Sequence, residues 1–289
     1  MADAAVRQSP LAIVCGAGTF PGAVADAVVK RGREPVMFGI KGWAERSAVE
    51  RYAHHWIALG QLGRFLRLAN AEQCREVLFI GSLTRPPITR LRLDWYTVRR
   101  LPRIARLFRG GDNRLLSGVA GLIEEGGLRV IGVADVAPEI LVPEGVLGRC
   151  VPSQRDRSDI NRALKLIAAL GPFDVGQAAV VADNNVLAVE GAEGTDQLLA
   201  RVADLRRQGR IAIPAGVGVL VKAPKPGQDR RLDLPSIGQR TIENAARAGL
   251  AGVAVATGSS IITEAAEVIA AADRAGIFLA GVREAAPPQ

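Results

Sequence analysis

Four short apolar runs in the first half of the chain alternate with stretches of helical periodicity. They are Leu11–Cys15, Pro35–Ile40, Glu76–Ile80 and residues 128–133. A helix between two strands returns the chain to the side it started from, so successive strands run parallel. A strand covered by helices on both faces is apolar throughout rather than at every second position, as Leu11–Cys15 is. Gly16-Ala17-Gly18-Thr19 then makes a turn, Thr19 can cap a helix running to about Arg31, and Gly32 ends it. Further helices are expected at 62–74, 94–108 and 114–125. The first half therefore predicts an N-terminal Rossmann-like domain with a parallel sheet, over residues 1–134.

The second half has another rhythm. Residues 135–158 lack periodicity, carry Pro138, Pro143 and Pro152 and end in Ser-Gln-Arg-Asp-Arg-Ser, which reads as a linker. Beyond it a helix fits 159–170. Two apolar runs, 178–182 and 186–189, flank the hairpin turn Asp183-Asn184-Asn185. Thr195 can cap a helix to about Gln208, and a strand at 216–222 leads into a long polar loop. A helix at 241–248, a strand at Gly252–Ala256, a helix at 263–275 and a strand at 277–280 complete a C-terminal mixed α/β domain, residues 159–289. The whole is an α/β chain of two domains.

Composition removes several function classes. Three scattered cysteines and one adjacent histidine pair, His54-His55, exclude a disulfide scaffold, a CxxC metal site and a His-rich metal site. The cysteines fit a reducing compartment. No run of 18 apolar residues exists to span a bilayer. An N-terminal signal peptide is rejected, because Gly16, Gly18 and Pro21 interrupt the apolar run. The net charge of +8 is localised. Between Arg85 and Arg114 stand nine arginines and two aspartates, a net +7, which leaves about +1 for all other residues.

That basic segment opens with Trp95 and Tyr96, and its arginines interleave with Val98, Leu101, Ile104, Leu107 and Phe108. Such a helix suits an anionic membrane surface, while nucleic acid or plain solvation of the arginines are the competing readings. Pro102 is tolerated in a first helical turn or kinks the helix. Within the same segment, Gly110-Gly111-Asp112-Asn113 is either a helix break or a sugar or base contact.

Three other stretches could carry chemistry. The turn at Gly16 and Gly18 allows a phosphate to approach helix N–H groups, yet GxGxxG is incomplete and the second strand ends in Lys41 rather than an acid. An anion contact and a plain turn stay open there. The loop 222–235 follows a strand, holds Lys222, Lys225, Arg230 and Arg231 beside Asp229 and Asp233, and is stiffened by prolines 224, 226 and 235. Cations neutralise phosphate and carboxylates hold a divalent metal, so this loop suits phosphate chemistry with Mg²⁺; a solvated loop of ion pairs is the alternative. Residues 190–196 place Glu190, Glu193 and Asp196 at a helix start, as a cap or as part of a metal site.

The chain resembles the UDP-2,3-diacylglucosamine pyrophosphatases of the LpxI type, from bacterial lipid A biosynthesis, over about residues 10 to 283. The resemblance rests on Leu11-Ala-Ile-Val-Cys-Gly-Ala-Gly18 with Pro21 and on Gly110-Gly-Asp-Asn-Arg-Leu-Leu116. It rests further on Asp174-Val-Gly-Gln-Ala178, Leu187-Ala-Val-Glu190, Glu193-Gly-Thr-Asp196, Lys225-Pro-Gly-Gln-Asp229, Asp233-Leu-Pro235 and Ala272-Asp-Arg-Ala-Gly276. It implies a Mg²⁺-dependent hydrolase that splits UDP-2,3-diacylglucosamine into UMP and 2,3-diacylglucosamine 1-phosphate. It also implies two domains with the lipid held between them, and a cytoplasmic enzyme peripheral on the inner face of the inner membrane. The family pattern has two acids after the Gly-Gly pair, where this chain has Asp112 and Asn113.

Taken together, Asp229, Asp233 and Lys225 are the expected catalytic residues. Asp229 and Asp233, with Glu193 and Asp196 second, are the expected metal ligands. Gly16, Gly18, Thr19, Asp112, Asn113, Gln177, Thr195, Lys222, Gln228 and Arg230 are the expected substrate contacts. Residues 85–114 are expected to dock on anionic lipid, nucleic acid is not an expected partner, and a homodimer is the expected assembly. The alternatives are a nucleotide-sugar transferase, which would release UDP, and an NAD-type oxidoreductase using the Gly16 turn.

Overall fold

A computed structural model describes residues 8–83, 91–107 and 111–285, leaving out the side chain of Asp112. The chain folds as two compact units, Met1–Pro138 with Asp229–Asp233, and Glu139–Gln228 with Leu234–Gln289.

In the first unit β1 (Leu11–Cys15), β2 (Pro35–Ile40), β3 (Ala53–Ile57), β4 (Glu76–Ile80) and β5 (Arg129–Val130) form a five-stranded sheet, ordered β3-β2-β1-β4-β5. Every pairing is parallel, as the strand–helix alternation predicts. The helices are α1 (Phe20–Lys30), α2 (Arg46–Val49), α3 (Leu62–Ala71), α4 (Trp95–Arg99), α5 (Leu101–Leu107), α6 (Asp112–Glu124) and α7 (Val133–Val136). One face of the sheet buries Ala12, Val14, Val36, Phe38 and Ile40 against Phe65 and Ala69 of α3 and Ala120 and Ile123 of α6. The sequence expected one helix over 94–108. Two form instead, with Asp94 capping α4 by accepting the Thr97 N–H (2.9 Å) and Pro102 falling in the first turn of α5, where its missing donor costs nothing. The strand expected at 128–133 ends at Val130. Gly132 starts α7, its N–H donating 2.8 Å to Asp135 Oδ2.

The second unit contains β6 (Gly145–Val146), β7 (Ala178–Ala182), β8 (Asn185–Val189), β9 (Val219–Lys222), β10 (Ser236–Ile237), β11 (Gly252–Ala256), β12 (Ile261–Ile262) and β13 (Phe278–Val282). Six of them form a mixed sheet ordered β6-β13-β11-β9-β7-β8, and β10 and β12 pair separately. Its helices are α8 (Gln154–Leu170), α9 (Gly194–Arg207), α10 (Gln239–Arg247) and α11 (Ala265–Ala275). Side chains alternate across the pleat. Val180, Leu220, Val253, Val255 and Leu279 pack toward α9, α10 and α11, while Ala179, Val181, Val219, Val221, Ala254 and Ala280 pack toward α8.

The stretch 135–158 contains two ordered elements. Gly145–Val146 pairs antiparallel with β13, and α8 begins at Gln154, five residues before the expected start. The reason is a capping box: Ser153 Oγ accepts from the Asp156 N–H (3.2 Å), and Asp156 Oδ2 accepts from the Ser153 N–H (2.8 Å). The β7–β8 hairpin closes on two residues, Asp183 and Asn184, both at positive φ (48° and 61°). Their amides donate to the carboxylate of buried Asp159 (2.9 and 2.7 Å), which fixes the turn.

Candidate active site

The strand order of the first sheet reverses between β1 and β4, the place where open α/β sheets leave a crevice for ligands. Gly16 follows β1 and Gly81 follows β4. A Cβ on Gly16 would stand 2.7 Å from the Ser82 carbonyl oxygen and 2.8 Å from Gly81 C, while one on Gly81 would stand 2.8 Å from Gly16 C. Ala17 and Ser82 form a β-bridge just beyond. Packing of two backbones thus accounts for glycine at position 16. Thr19 occupies the α1 N-cap position but makes no side-chain capping bond.

Also in the first unit is the short segment Asp229–Asp233. Leu232 packs against the core beneath β1 and β2. The Asp229 N–H donates to Asn113 Oδ1 (3.2 Å) at the start of α6, which ties the Gly-Gly-Asp-Asn motif to the polar loop. The N–H groups of Leu232 and Asp233 both donate to the Asp229 carbonyl (3.0 and 3.3 Å), making one tight turn. Arg231 donates to the Asp229 carboxylate from Nε (3.0 Å), Nη2 (2.8 Å) and its own backbone N–H (3.1 Å). Its Nη1 donates to Glu124 Oε1 (2.9 Å). The side-chain hydrogen bonds from Arg231 hold the Asp229 carboxyl below the usual aspartate range despite partial burial, and Asp229 in turn raises Arg231.

The second unit gathers its polar groups where β9 ends. Ala178, the first residue of β7, pairs with Lys222, the last of β9, and Val189, the last of β8, pairs with Ala179. Gln177, Glu190 and Lys222 therefore share one end of the sheet. Glu190 is buried; its Oε2 accepts from the Gln177 N–H (2.7 Å) and its Oε1 from the Thr195 hydroxyl (2.6 Å). Lys222, also buried, donates from Nζ to the Ser236 carbonyl (2.8 Å). Lys225 is only 9% exposed and forms an ion pair with Asp174, a residue in the left-handed region at φ 55°. Its N–H donates to Gln228 Oε1 (2.9 Å), and the Gln228 N–H returns to the Lys225 carbonyl (3.1 Å). Gly227, at φ +75°, lets the chain close this ring. A charge is seldom buried without a compensating partner, and Asp174 supplies one here. The motifs at 174–178 and 225–229, about fifty residues apart in sequence, meet through this pair.

These positions sort the expected residues. Gln177, Lys222, Lys225 and Gln228 lie at one end of one sheet, and Thr195 joins them through Glu190. Thr195 does not cap α9; Glu193 holds the N-cap position, and the Thr195 hydroxyl is engaged by Glu190. Asn113 and Asp229 meet in the first unit. The Asp112 side chain lies outside the described residues. Arg230 is exposed. Asp174 and Glu124 were not singled out as site residues, and Glu190 was read only as a cap or a metal-site acid. The acids of positions 174 and 190 stand inside motifs that the sequence did mark, whereas Glu124 ends an ordinary amphipathic helix with no local signal.

The acids expected to hold a metal have partners of their own. Glu193 is paired with Arg201 (2.9 Å), and Asp196 with Arg240 (2.7 Å) and the Asn244 amide (3.0 Å), so both already have structural partners. Among the described residues no three His, Cys, Asp or Glu side chains form a cluster able to hold an ion. Mg²⁺ keeps waters and needs only one or two carboxylates when substrate phosphates supply the remaining oxygens. Asp229 and Asp233 share one turn and would hold such an ion there, with Arg231 paired to Asp229 as arginines are paired to Glu193 and Asp196.

The chain matches two family descriptions, the LpxI N-terminal domain over residues 10–140 and the LpxI C-terminal domain over residues 143–280. It is 38% identical over 272 residues to the UDP-2,3-diacylglucosamine pyrophosphatase LpxI of Caulobacter vibrioides, covering 94% of this chain and 97% of that one. Among solved structures, the biotin carboxylase subunit of pyruvate carboxylase aligns with a TM-score of 0.25 at 12% identity. The match covers 70% of this chain and 42% of that one. The 2-oxoglutarate carboxylase biotin carboxylase domain of Hydrogenobacter thermophilus aligns at 0.24, also at 12% identity, covering 74% and 44%. The full-length match and both domain matches agree: the chain belongs to the LpxI family.

Proposed function

We propose that this chain hydrolyses the pyrophosphate of UDP-2,3-diacylglucosamine, giving UMP and 2,3-diacylglucosamine 1-phosphate for lipid A synthesis. The observation that carries the reading is the match to the Caulobacter enzyme along nearly the whole of both chains. The geometry supports it. Lys225 is a buried cation whose ammonium has three donors, of which Asp174 takes one, so it can also reach a phosphate oxygen. Lys222 adds positive charge at the same end of the sheet, and Glu190 fixes the Gln177 and Thr195 groups there.

Asp229 is ionised at neutral pH and too weak a base to collect a proton efficiently. Its role is to place charge: it orients water, or with Asp233 it holds Mg²⁺. When bound, that ion would neutralise pyrophosphate oxygens. Water adds to the phosphorus nearer the sugar and loses a proton to bulk solvent, the bond from that phosphorus to the bridging oxygen breaks, and the bridging oxygen leaves with UMP. Incubation with the substrate and Mg²⁺, followed by ³¹P NMR, should show UMP; release of UDP would point to a transferase. In ¹⁸O-water the label should enter the lipid product, and label confined to UMP overturns the point of attack.

The enzyme would draw this substrate from a membrane surface through the basic segment 85–114. Among the described residues no helix is long and apolar enough to cross a bilayer. Trp95 is 71% exposed and Val98 is exposed beside it, with the Arg99 guanidinium 5.6 Å from the Trp95 ring centroid. Arg103 is engaged by Glu125 (2.6 Å), and Arg100 stacks on Tyr96. Arg99→Glu should therefore weaken binding to anionic vesicles several-fold, about 1 kcal/mol per basic residue near the surface. Unchanged binding returns the segment to a packed helix with solvated arginines.

A further inference from the structure

The Asp229 carboxylate is held by an arginine that has a second carboxylate partner. Arg231 donates to Asp229 from Nε (3.0 Å), Nη2 (2.8 Å) and its backbone N–H (3.1 Å). From the other side of the same guanidinium, Nη1 donates to Glu124 Oε1 (2.9 Å), with the Val130 carbonyl farther off at 3.4 Å. The fork is planar and rigid, so the nitrogen bound to Glu124 and the two bound to Asp229 turn together.

Glu124 is the last residue of α6, and Asn113, the second, accepts the Asp229 N–H (3.2 Å). One helix thus holds the Asp229 backbone near its start and, through Arg231, the Asp229 side chain at its end. The backbone of Arg231 is placed separately: a Cβ on Gly132 would stand only 3.2 Å from Arg231 Cα.

Stability gives little reason for the outer half of this chain of contacts. The side chains of Arg231 and Glu124 are 43% and 40% exposed, and ion pairs between such groups contribute little to folding. An acid in the last turn of a helix also opposes the helix dipole. Geometry gives a better reason. An arginine held by Asp229 alone could swing on its long side chain, whereas Nη1 tied to α6 leaves Nε and Nη2 facing Asp229 in one fixed plane. A shift of about 1 Å at a reaction site can cost on the order of a hundredfold in rate.

We propose that Glu124 is a positioning residue for the hydrolysis: acting through Arg231, it fixes the direction in which the Asp229 carboxylate faces the reacting groups. It needs no contact with substrate. The inference rests on the reading of Asp229 as a group of the reaction site and names the helix residue that holds it.

The test is a double-mutant cycle of Glu124→Ala and Arg231→Ala in the full chain. It is read by kcat and KM on UDP-2,3-diacylglucosamine, per folded molecule, and by the ¹⁵N–¹H signal of the Arg231 Nε–H group wherever Arg231 is present. Glu124→Ala should lower kcat about tenfold with KM nearly unchanged, and should shift or broaden the Arg231 signal. Glu124→Gln, which keeps an acceptor oxygen, should restore most of the rate and the signal. In the Arg231→Ala background Glu124→Ala should cost nothing further, because the link from α6 to Asp229 is already cut. Glu125→Ala, one residue on and paired with Arg103 instead, should leave kcat and the Arg231 signal as they are. Additive losses in the cycle, or a loss in Glu125→Ala equal to that in Glu124→Ala, would overturn the proposal. A wild-type chain that releases no UMP overturns the hydrolytic reading and with it the role in turnover. An active chain whose kcat and Arg231 signal ignore Glu124 overturns the positioning alone.

Discussion

Each unit presents a turn at the carboxyl end of a parallel strand, and the two turns have opposite characters. After β1 the chain offers Gly16, Ala17 and Gly18 with no charge, and the glycine at 16 is required by the backbone of Gly81 and Ser82. After β9 the chain offers Lys222 and Lys225, both buried, with Asp174 and Glu190 brought to the same end. A glycine is explained equally well by packing or by a ligand, so it discriminates poorly. A buried cation is expensive as packing, and at Lys225 the Asp174 carboxylate offsets that cost.

That contrast can be broken by experiment. The largest effect is expected at Asp229→Ala, about a thousandfold in turnover, the scale for removing one aligned charge or donor from a reaction site. Its melting temperature should move little, because the carboxylate is bonded mainly to a half-exposed arginine. Near wild-type turnover would remove the 229–233 turn from the chemistry. Lys225→Met should lose about a hundredfold and also destabilise the fold by about 3 kcal/mol, since it strands the Asp174 carboxylate. Comparing kcat per folded molecule with thermal unfolding separates the two losses.

Gly16→Ala should show the reverse: a loss of about 1–3 kcal/mol in stability from the forced Cβ contact, with activity per folded molecule unchanged. If activity collapses while melting stays put, the β1 turn is a ligand contact after all. The smallest effect concerns pH. The lowered Asp229 carboxyl contributes stability that is present above the ordinary aspartate range and lost as pH falls through the folded value. Arg231→Ala removes the chief cause, so the acid limb of both stability and rate should move to higher pH. An unmoved limb would mean that Asp229 does not set it.

Periodicity exposed β1, β2, β4 and β5 of the first unit and the β7–β8 hairpin, because buried apolar runs and a two-residue turn leave strong local patterns, whereas the edge strand β3, exposed at Ala53 and His54, was missed. Boundaries failed where a cap decided them: Asp94 divides the basic segment, and Ser153 with Asp156 starts α8 early. The short strand β6 was invisible, since two residues have no period and exist through pairing with β13. The site was legible as charged motifs. Their pairing was not, because Lys225 with Asp174 and Asp229 with Asn113 join residues far apart in sequence. The arginine partners of Glu193 and Asp196 were likewise not readable, because only the fold supplies them.

The turn Asp229–Asp233 belongs with the first unit, although the chain on both sides of it belongs to the second. The polypeptide therefore changes units three times, at 138/139, 228/229 and 233/234. No single cut yields both units whole. A fragment ending at residue 138 would lack Leu232 in its core and leave Asn113 without the Asp229 amide; the complementary fragment would carry Asp229 with no α6 to receive it. Co-expressed halves would have to recombine by inserting five residues before the Asp229 amide could find Asn113, so a gene for either half alone cannot form that hydrogen bond.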